Sequence, residues 1–122
     1  VRVKAFSWTQ VGTGTAADQQ YLCQMEAGAV RILAVSVAHS AFGTSRTLDF
    51  GHTGATDPDG AAIAADPDAF SANLAVASAG TSVIDINTYI STKDGFVFAG
   101  QVNDGTQPAA ATLTGYVTYV ID

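Results

Sequence analysis

The sequence predicts an all-β protein: a two-sheet antiparallel β-sandwich, jelly-roll-like, with one short helix. Three observations carry that reading. Ten of the eleven acidic residues are Asp and only Glu26 is Glu, so the chain is poor in the long, straight side chains that favour helices. Val, Ile, Thr, Phe and Tyr gather in short runs separated by Gly, Asp and Asn, with twelve Gly in all. Within the runs, apolar and polar residues alternate with a period of two, the period of a strand with one buried face.

The runs follow in order. Val1, Val3 and Ala5 alternate with Arg2, Lys4 and Phe6 in an amphipathic opening strand that reaches Trp8. Tyr21 to Glu26 is a weaker strand carrying Leu22 and Cys23. Val30 to Val37 is the most apolar run and reads as a central strand; a slip in its alternation at Leu33 and Ala34 predicts a bulge or burial on both faces. Thr47 to Phe50 sets Leu48 and Phe50 against Thr47 and Asp49. Val83 to Ile90 places Ile84, Ile86 and Ile90 opposite Val83, Asp85 and Tyr89. A Lys93-Asp94-Gly95 turn introduces Phe96 to Val102, and Thr112 to Ile121 closes the chain with Leu113, Val117, Tyr119 and Ile121 on one face. Seven or eight such strands suit two sheets that share one core.

One segment breaks this period. Asp66-Pro67-Asp68 has the residue types of a helix start: an N-cap, a proline at the first helical position, and a carboxylate at the positive end of the dipole. Phe70, Leu74 and Ala77 follow at helical spacing, with Gly80 as the stop, which predicts about three turns of helix. The Gly-, Ala-, Asp- and Thr-rich stretch from Gly51 to Ala65 reads as a loop. No boundary or repeat divides residues 1–122, so the expectation is a single sandwich domain with an extended N-terminal segment.

Composition narrows the function classes. Hydrophobic residues make up 48% and charged residues 13%, which excludes disorder driven by charge. A net charge of −6 argues against a nucleic-acid partner and against attraction to an anionic membrane. One cysteine, Cys23, permits neither an intrachain disulfide nor a multi-thiolate zinc site, and reads as a buried, inert thiol. No apolar run approaches the roughly 18 residues of a membrane-spanning helix.

The candidate chemistry is sparse. Asp57-Pro58-Asp59-Gly60 and Asp66-Pro67-Asp68 offer carboxylates at short spacing, but without the order of a calcium loop; they read as a tight turn and a helix cap. His39 and His52, with Ser40, Ser45, Asp49 and Asp57 near them in sequence, lack a nucleophile elbow and an oxyanion loop. Gly12-Thr13-Gly14-Thr15 lacks the following Lys of a phosphate cradle and reads as a loop. Trp8, Tyr21, Tyr89, Tyr116 and Tyr119 are the aromatics a sugar-binding platform would need; spread over separate strands, they read first as core and cross-strand pairs. No residue is assigned a catalytic, cofactor-binding or metal-binding role, no cofactor is expected, and the chain reads as a non-enzyme.

The order of motifs resembles the middle of small structural proteins of tailed bacteriophages: Thr47-Leu48-Asp49-Phe50-Gly51, a Gly/Asp-rich loop, Asp66-Pro67-Asp68-Ala69-Phe70, then a strand near Ile84. The ending Gly115-Tyr116-Val117-Thr118-Tyr119-Val120-Ile121-Asp122 is similar to the final strand of such proteins. The resemblance covers roughly residues 30 to 122, and the Ala-rich stretch Gly60 to Ala65 departs from it. It implies a virion component of the capsid cement or decoration type, on the capsid exterior, with the major capsid protein and copies of itself as partners. A carbohydrate-binding or adhesion module is the alternative, and a small hydrolase stands third. On the first reading, the parts available for lattice contacts are the segment Val1 to Ala17 and the loop Gly51 to Ala65.

Overall fold

A computed structural model describes residues 1–14, 18–103 and 107–122; the last three residues of the Val1 to Ala17 segment, Thr15 of the glycine loop among them, lie outside the described residues. Among the described residues ten strands follow one another: β1 (Arg2–Thr9), β2 (Gln19–Met25), β3 (Gly28–His39), β4 (Thr47–His52), β5 (Ala55–Thr56), β6 (Ala62–Ile63), β7 (Asp66–Ala75), β8 (Gly80–Thr92), β9 (Phe96–Asn103) and β10 (Thr112–Ile121). Eight of them form two antiparallel four-stranded sheets, in the orders β1-β10-β3-β8 (sheet I) and β2-β9-β4-β7 (sheet II). Successive strands of this set pass from one sheet to the other, except that β4 is followed by its own neighbour β7.

The core lies between the sheets and is filled by the period-two positions. Sheet I contributes Val30, Ile32, Val35 and Val37 from β3 and Leu113, Val117 and Tyr119 from β10; sheet II contributes Leu48, Phe50, Phe96, Phe98 and Val102. Phe98 is the hub, with ring centroids 5.6 Å from both Phe50 and Phe70 and 6.4 Å from Phe6. The slip at Leu33 is a bulge. Register shifts there against both neighbours, between Ile32 and Ala34 on the β8 side and opposite Thr118 and Tyr119 of β10. The extra residue is what allows Ile32 and Val35, three positions apart, to face the same core. The predicted turn at Lys93 to Gly95 is also present: Gly95 has φ +91° and its N–H donates to Thr92 Oγ1 at 3.0 Å.

Two expectations need correction. Asp66 to Gly80 is not a helix; the described residues contain none. Asp66–Ala75 is the edge strand β7, paired antiparallel with β4. Pro67 costs no ladder bond on an edge. Asn73, in the left-handed region at φ +62°, accompanies the register shift between Phe50 and Leu48, so Phe70 and Leu74 reach the core without helical geometry. Gly51 completes the fit, because a Cβ there would stand 1.9 Å from the Asp66 carbonyl oxygen. Local capping signals worth about 1 kcal/mol yield to a strand that buries Phe70 against Phe96, Phe98 and the His52 ring. Gly80, read as a helix stop, begins β8 opposite His39.

The Gly51 to Ala65 stretch is likewise only partly a loop. Gly51 and His52 finish β4, and β5 and β6 form a short hairpin, Ala55 against Ile63 and Thr56 against Ala62. Asp57 does serve as a tight-turn residue: its Oδ1 accepts from the backbone N–H of Asp59 and of Ala61, both at 2.9 Å.

Candidate interaction surfaces

The chemistry-bearing residues are occupied structurally. His39 and His52 are both buried, and the Nδ1 of each lies on a neighbouring carbonyl, Ser40 O at 3.0 Å and Thr53 O at 2.8 Å. His52 sits edge-on to Phe96, 6.1 Å between centroids. Ser40 Oγ accepts from the Thr112 N–H at 2.9 Å. Asp49 accepts from the Asn73 N–H and from Asn103 Nδ2, each at 2.8 Å, tying β7 and β9 to β4. Ser40 and Asp49 join neighbouring strands, while each histidine ring lies on the carbonyl of the next residue. Among the described residues there is no cavity and no group of three or more His, Cys, Asp or Glu side chains placed to hold a metal ion.

Cys23 is half-buried with Sγ 3.8 Å from Met25 Sδ, and burial pushes its thiol up to about 11 against the opposing pull of Lys4. It is a thiol, not a thiolate, at neutral pH. Asp66 and Asp68 stand two apart on edge strand β7. A hydrogen bond that the protonated Asp68 carboxyl donates to Asp66, reinforced by the Asp66 charge, raises Asp68 above the ordinary value.

Glu26 performs a different task. It lies in the connection from β2 to β3, and its carboxylate receives Arg2 of β1 at 2.5 Å and the Tyr119 hydroxyl of β10. Lys4 Nζ donates to the Gln24 carbonyl at 2.6 Å. These contacts close the sandwich along the β1–β2 side, which also explains how Arg2 and Lys4 share the parity of buried Phe6. The Tyr119 hydrogen bond, then the Arg2 and Lys4 charges, hold Glu26 below the usual carboxylate range. Burial first, then Glu26, raises the Tyr119 phenol.

The five candidate platform aromatics separate. Tyr119 is buried, and Trp8 is half-buried against Phe42 at 6.5 Å. Tyr21 projects from sheet II, while Tyr89 and Tyr116 stand on sheet I. The outer face of sheet I is where exposed apolar area concentrates. Of the eight large hydrophobic side chains most exposed among the described residues, Val3, Val83, Tyr89 and Tyr116 lie on it, 45 to 72% exposed. Cross-strand register sets Ala5, Tyr116, Ser36 and Val83 side by side, with Val3, Thr118, Ala34 and Asp85 in the next row. Arg31 lies over the Tyr89 ring at 5.4 Å and is held by Asp122 at 2.9 Å. Sequence reasoning placed Val83 and Tyr89 opposite the isoleucines of the same strand; it named Tyr89 among the candidate platform aromatics and gave Val83 no role. The available signal was that β8 is apolar on both parities.

Of the segments expected to contact a lattice, Arg2–Thr9 is built into sheet I as β1, with Phe6 in the core. The β5–β6 hairpin projects from the end of β4 and is tied to the β8–β9 turn by the Lys93 N–H on the Thr56 carbonyl at 2.8 Å.

No protein-family model matches the chain, and no curated protein matches it in sequence. Its fold is shared with chains in solved virus structures. A chain of the cyanophage Pam1 capsid asymmetric unit superposes with a TM-score of 0.69 at 22% identity, covering 99% of this chain and 84% of that one. A chain of the T13 IBDV viral particle gives a TM-score of 0.59 at 10% identity over 98% of this chain and 31% of that one. A chain of the infectious bursal disease virus Gt strain gives 0.55 at 11% identity, over 98% and 32%. The sandwich therefore spans most of the phage chain and about a third of each of the other two.

Proposed function

We propose that this protein is a non-enzymatic phage virion structural protein of the cement or decoration type, bound to the outside of the head lattice. Its partners on this reading are the major capsid protein and copies of itself, and residues 1–122 act as one sandwich domain. The observation that carries the reading is the likeness to a chain of a phage capsid asymmetric unit over nearly the whole of this chain and most of that one. The strand orders support it: β1-β10-β3-β8 against β2-β9-β4-β7 is the arrangement we read as an eight-stranded jelly roll, a fold that viral capsid and lectin domains both use. The polar groups assigned above to strand junctions suit a protein whose task is to bind rather than to react. The exposed β5–β6 hairpin is the part of the Gly51 to Ala65 stretch best placed to meet a lattice, where many copies of a modest contact add up.

The alternative, a carbohydrate-binding or adhesion module, draws on the exposed Tyr89 and Tyr116. One experiment separates the two. Purified protein is mixed with undecorated heads and sedimented, and a saturable stoichiometric load is the expected result. Failure to load at micromolar protein, with a glycan found to bind the isolated domain, would replace the virion reading by the second one.

A further inference from the structure

Among the described residues, none covers the outer face of sheet I. It is apolar at Val3, Val83, Tyr89 and Tyr116, and between these it is paved with small residues such as Ala5, Ala34 and Ser36. Folding does not require this, because the opposite parity of the same strands already supplies the core. Sheet II, by contrast, presents Gln101, Asn103 and the hydrogen-bonded Asp49 on its outer side, with Tyr21 as a single strongly exposed large apolar side chain among the described residues. Contiguous exposed apolar area on a sheet marks a surface that is covered in use.

We infer that a second copy of this chain covers it, the two sheets stacking face to face about a two-fold axis. Charge argues for a copy. The face carries Arg31 and Asp85, with Asp122 at its rim on Arg31; the remaining four basic and eight acidic side chains among the described residues, a balance of −4, stand elsewhere. Two copies are mutually repelled over most of their surfaces and least so here. The face is also self-complementary. Asp85 pairs with Ala34 on β3, three residues along from Arg31. A two-fold axis passing between them sets Arg31 of each copy towards Asp85 of the other. Area argues for it too. Four strands at ~4.8 Å spacing and about nine residues of ~3.3 Å rise give ~600 Å² per copy, or ~1,200 Å² in the pair, the lower bound for a stable specific interface.

The inference deepens the self-association proposed above and rests on that reading only for its role in the virion. The test is sedimentation velocity of the full chain at micromolar concentration, where the expected mass is twice 12.5 kDa. Val83→Lys places a charge in the interface twice, once per copy, and should weaken association by at least about tenfold. Val83 is 72% exposed, so the circular dichroism spectrum should match the parent, and the melting temperature should fall by no more than the lost pairing accounts for. Tyr21→Lys, at an exposed site on sheet II, should leave the pair intact. A parent that stays monomeric at hundreds of micromolar overturns the inference, and so does a pair that Tyr21→Lys dissociates and Val83→Lys does not. Head loading by the same variants separates the two levels. If the parent pairs but loads no heads, the virion reading fails and the pairing stands. If the parent is monomeric and Val83→Lys no longer loads, a shell subunit covers the face and the pairing is wrong.

Discussion

Phe98→Ala tests the core at its hub. The ring is fully buried on β9 and contacts one phenylalanine from each of three other strands: Phe6 on β1, Phe50 on β4 and Phe70 on β7. Truncating a buried phenylalanine to alanine costs about 3–5 kcal/mol as transfer plus cavity energy. This site belongs in the upper half of that range, because Phe6 and Phe70 sit on edge strands of opposite sheets. Collapse around the void would have to move both edges against their ladders. A loss of about 4 kcal/mol is a large part of the 5–15 kcal/mol that holds a domain together, and lowers Tm by roughly 15 °C. Urea titration and calorimetry on parent and variant measure it. Tyr21→Ala is the control, 67% exposed on the outer side of the same sheet, and expected within about 0.5 kcal/mol of the parent. A Phe98→Ala protein within about 1 kcal/mol of the parent, or a Tyr21→Ala protein equally destabilised, would refute this placement of the core.

Gly51→Ala should cost about 3 kcal/mol or more, because its Cβ would meet the Asp66 carbonyl at 1.9 Å; hydrogen exchange should show β7 opening first, and an unperturbed variant would mean that β7 does not dock as described. The two perturbed carboxylates predict opposite pH slopes in melting curves taken through the acid range. Glu26, held low, contributes stability that is full above its ordinary value of 4.5 and lost as pH falls through its depressed folded value, so Glu26→Gln should flatten that loss. Asp68, held high, costs stability as pH rises from its ordinary value of 3.8 through its raised one, so Asp68→Asn should remove that cost; equal profiles in parent and variants would contradict both assignments. Excess chelator should leave the melting temperature unchanged, since Asp57 and Asp66 serve a turn and a strand; a large drop restored by calcium would assign them to a metal.

The strands were legible wherever one parity of a run had to be apolar. The bulge at Leu33 was visible as a slip in that parity, because an extra residue is the only way to keep Ile32 and Val35 on one side. The helix at Asp66 was misread for the converse reason. Asp-Pro-Asp satisfies a helix start with local chemistry, whereas the β7 pairing depends on Gly51, fifteen residues earlier, which makes room for the Asp66–Pro67 backbone. The β5–β6 hairpin was hidden because a two-residue ladder has no period to read. The opening strand shows how charge can mislead: Lys4 shares a parity with Phe6 because it sits at the sheet edge and reaches the Gln24 carbonyl, while the exposed parity takes the valines.

Those exposed valines bear on how one small sandwich would serve the two kinds of partner proposed above. A surface that pairs copies and a surface that grips a lattice cannot be the same, or each would compete for the other. Here the two are separable by position. The apolar outer face belongs to sheet I, while the β5–β6 hairpin joins two neighbouring strands of sheet II and is anchored at the β8–β9 turn. A pair closed through sheet I leaves both hairpins free. If the lattice offers sites at matching spacing, the second hairpin then binds at the high effective concentration set by the first. On the proposed reading, weak self-association through ~1,200 Å² and a modest hairpin contact would each be marginal alone and would together give firm attachment without any single large interface. On that arrangement the acidic groups also fall where they are tolerated. Asp57 and Asp59 at the hairpin and Asp66 and Asp68 at the β7 edge lie away from the face where like charges would oppose pairing.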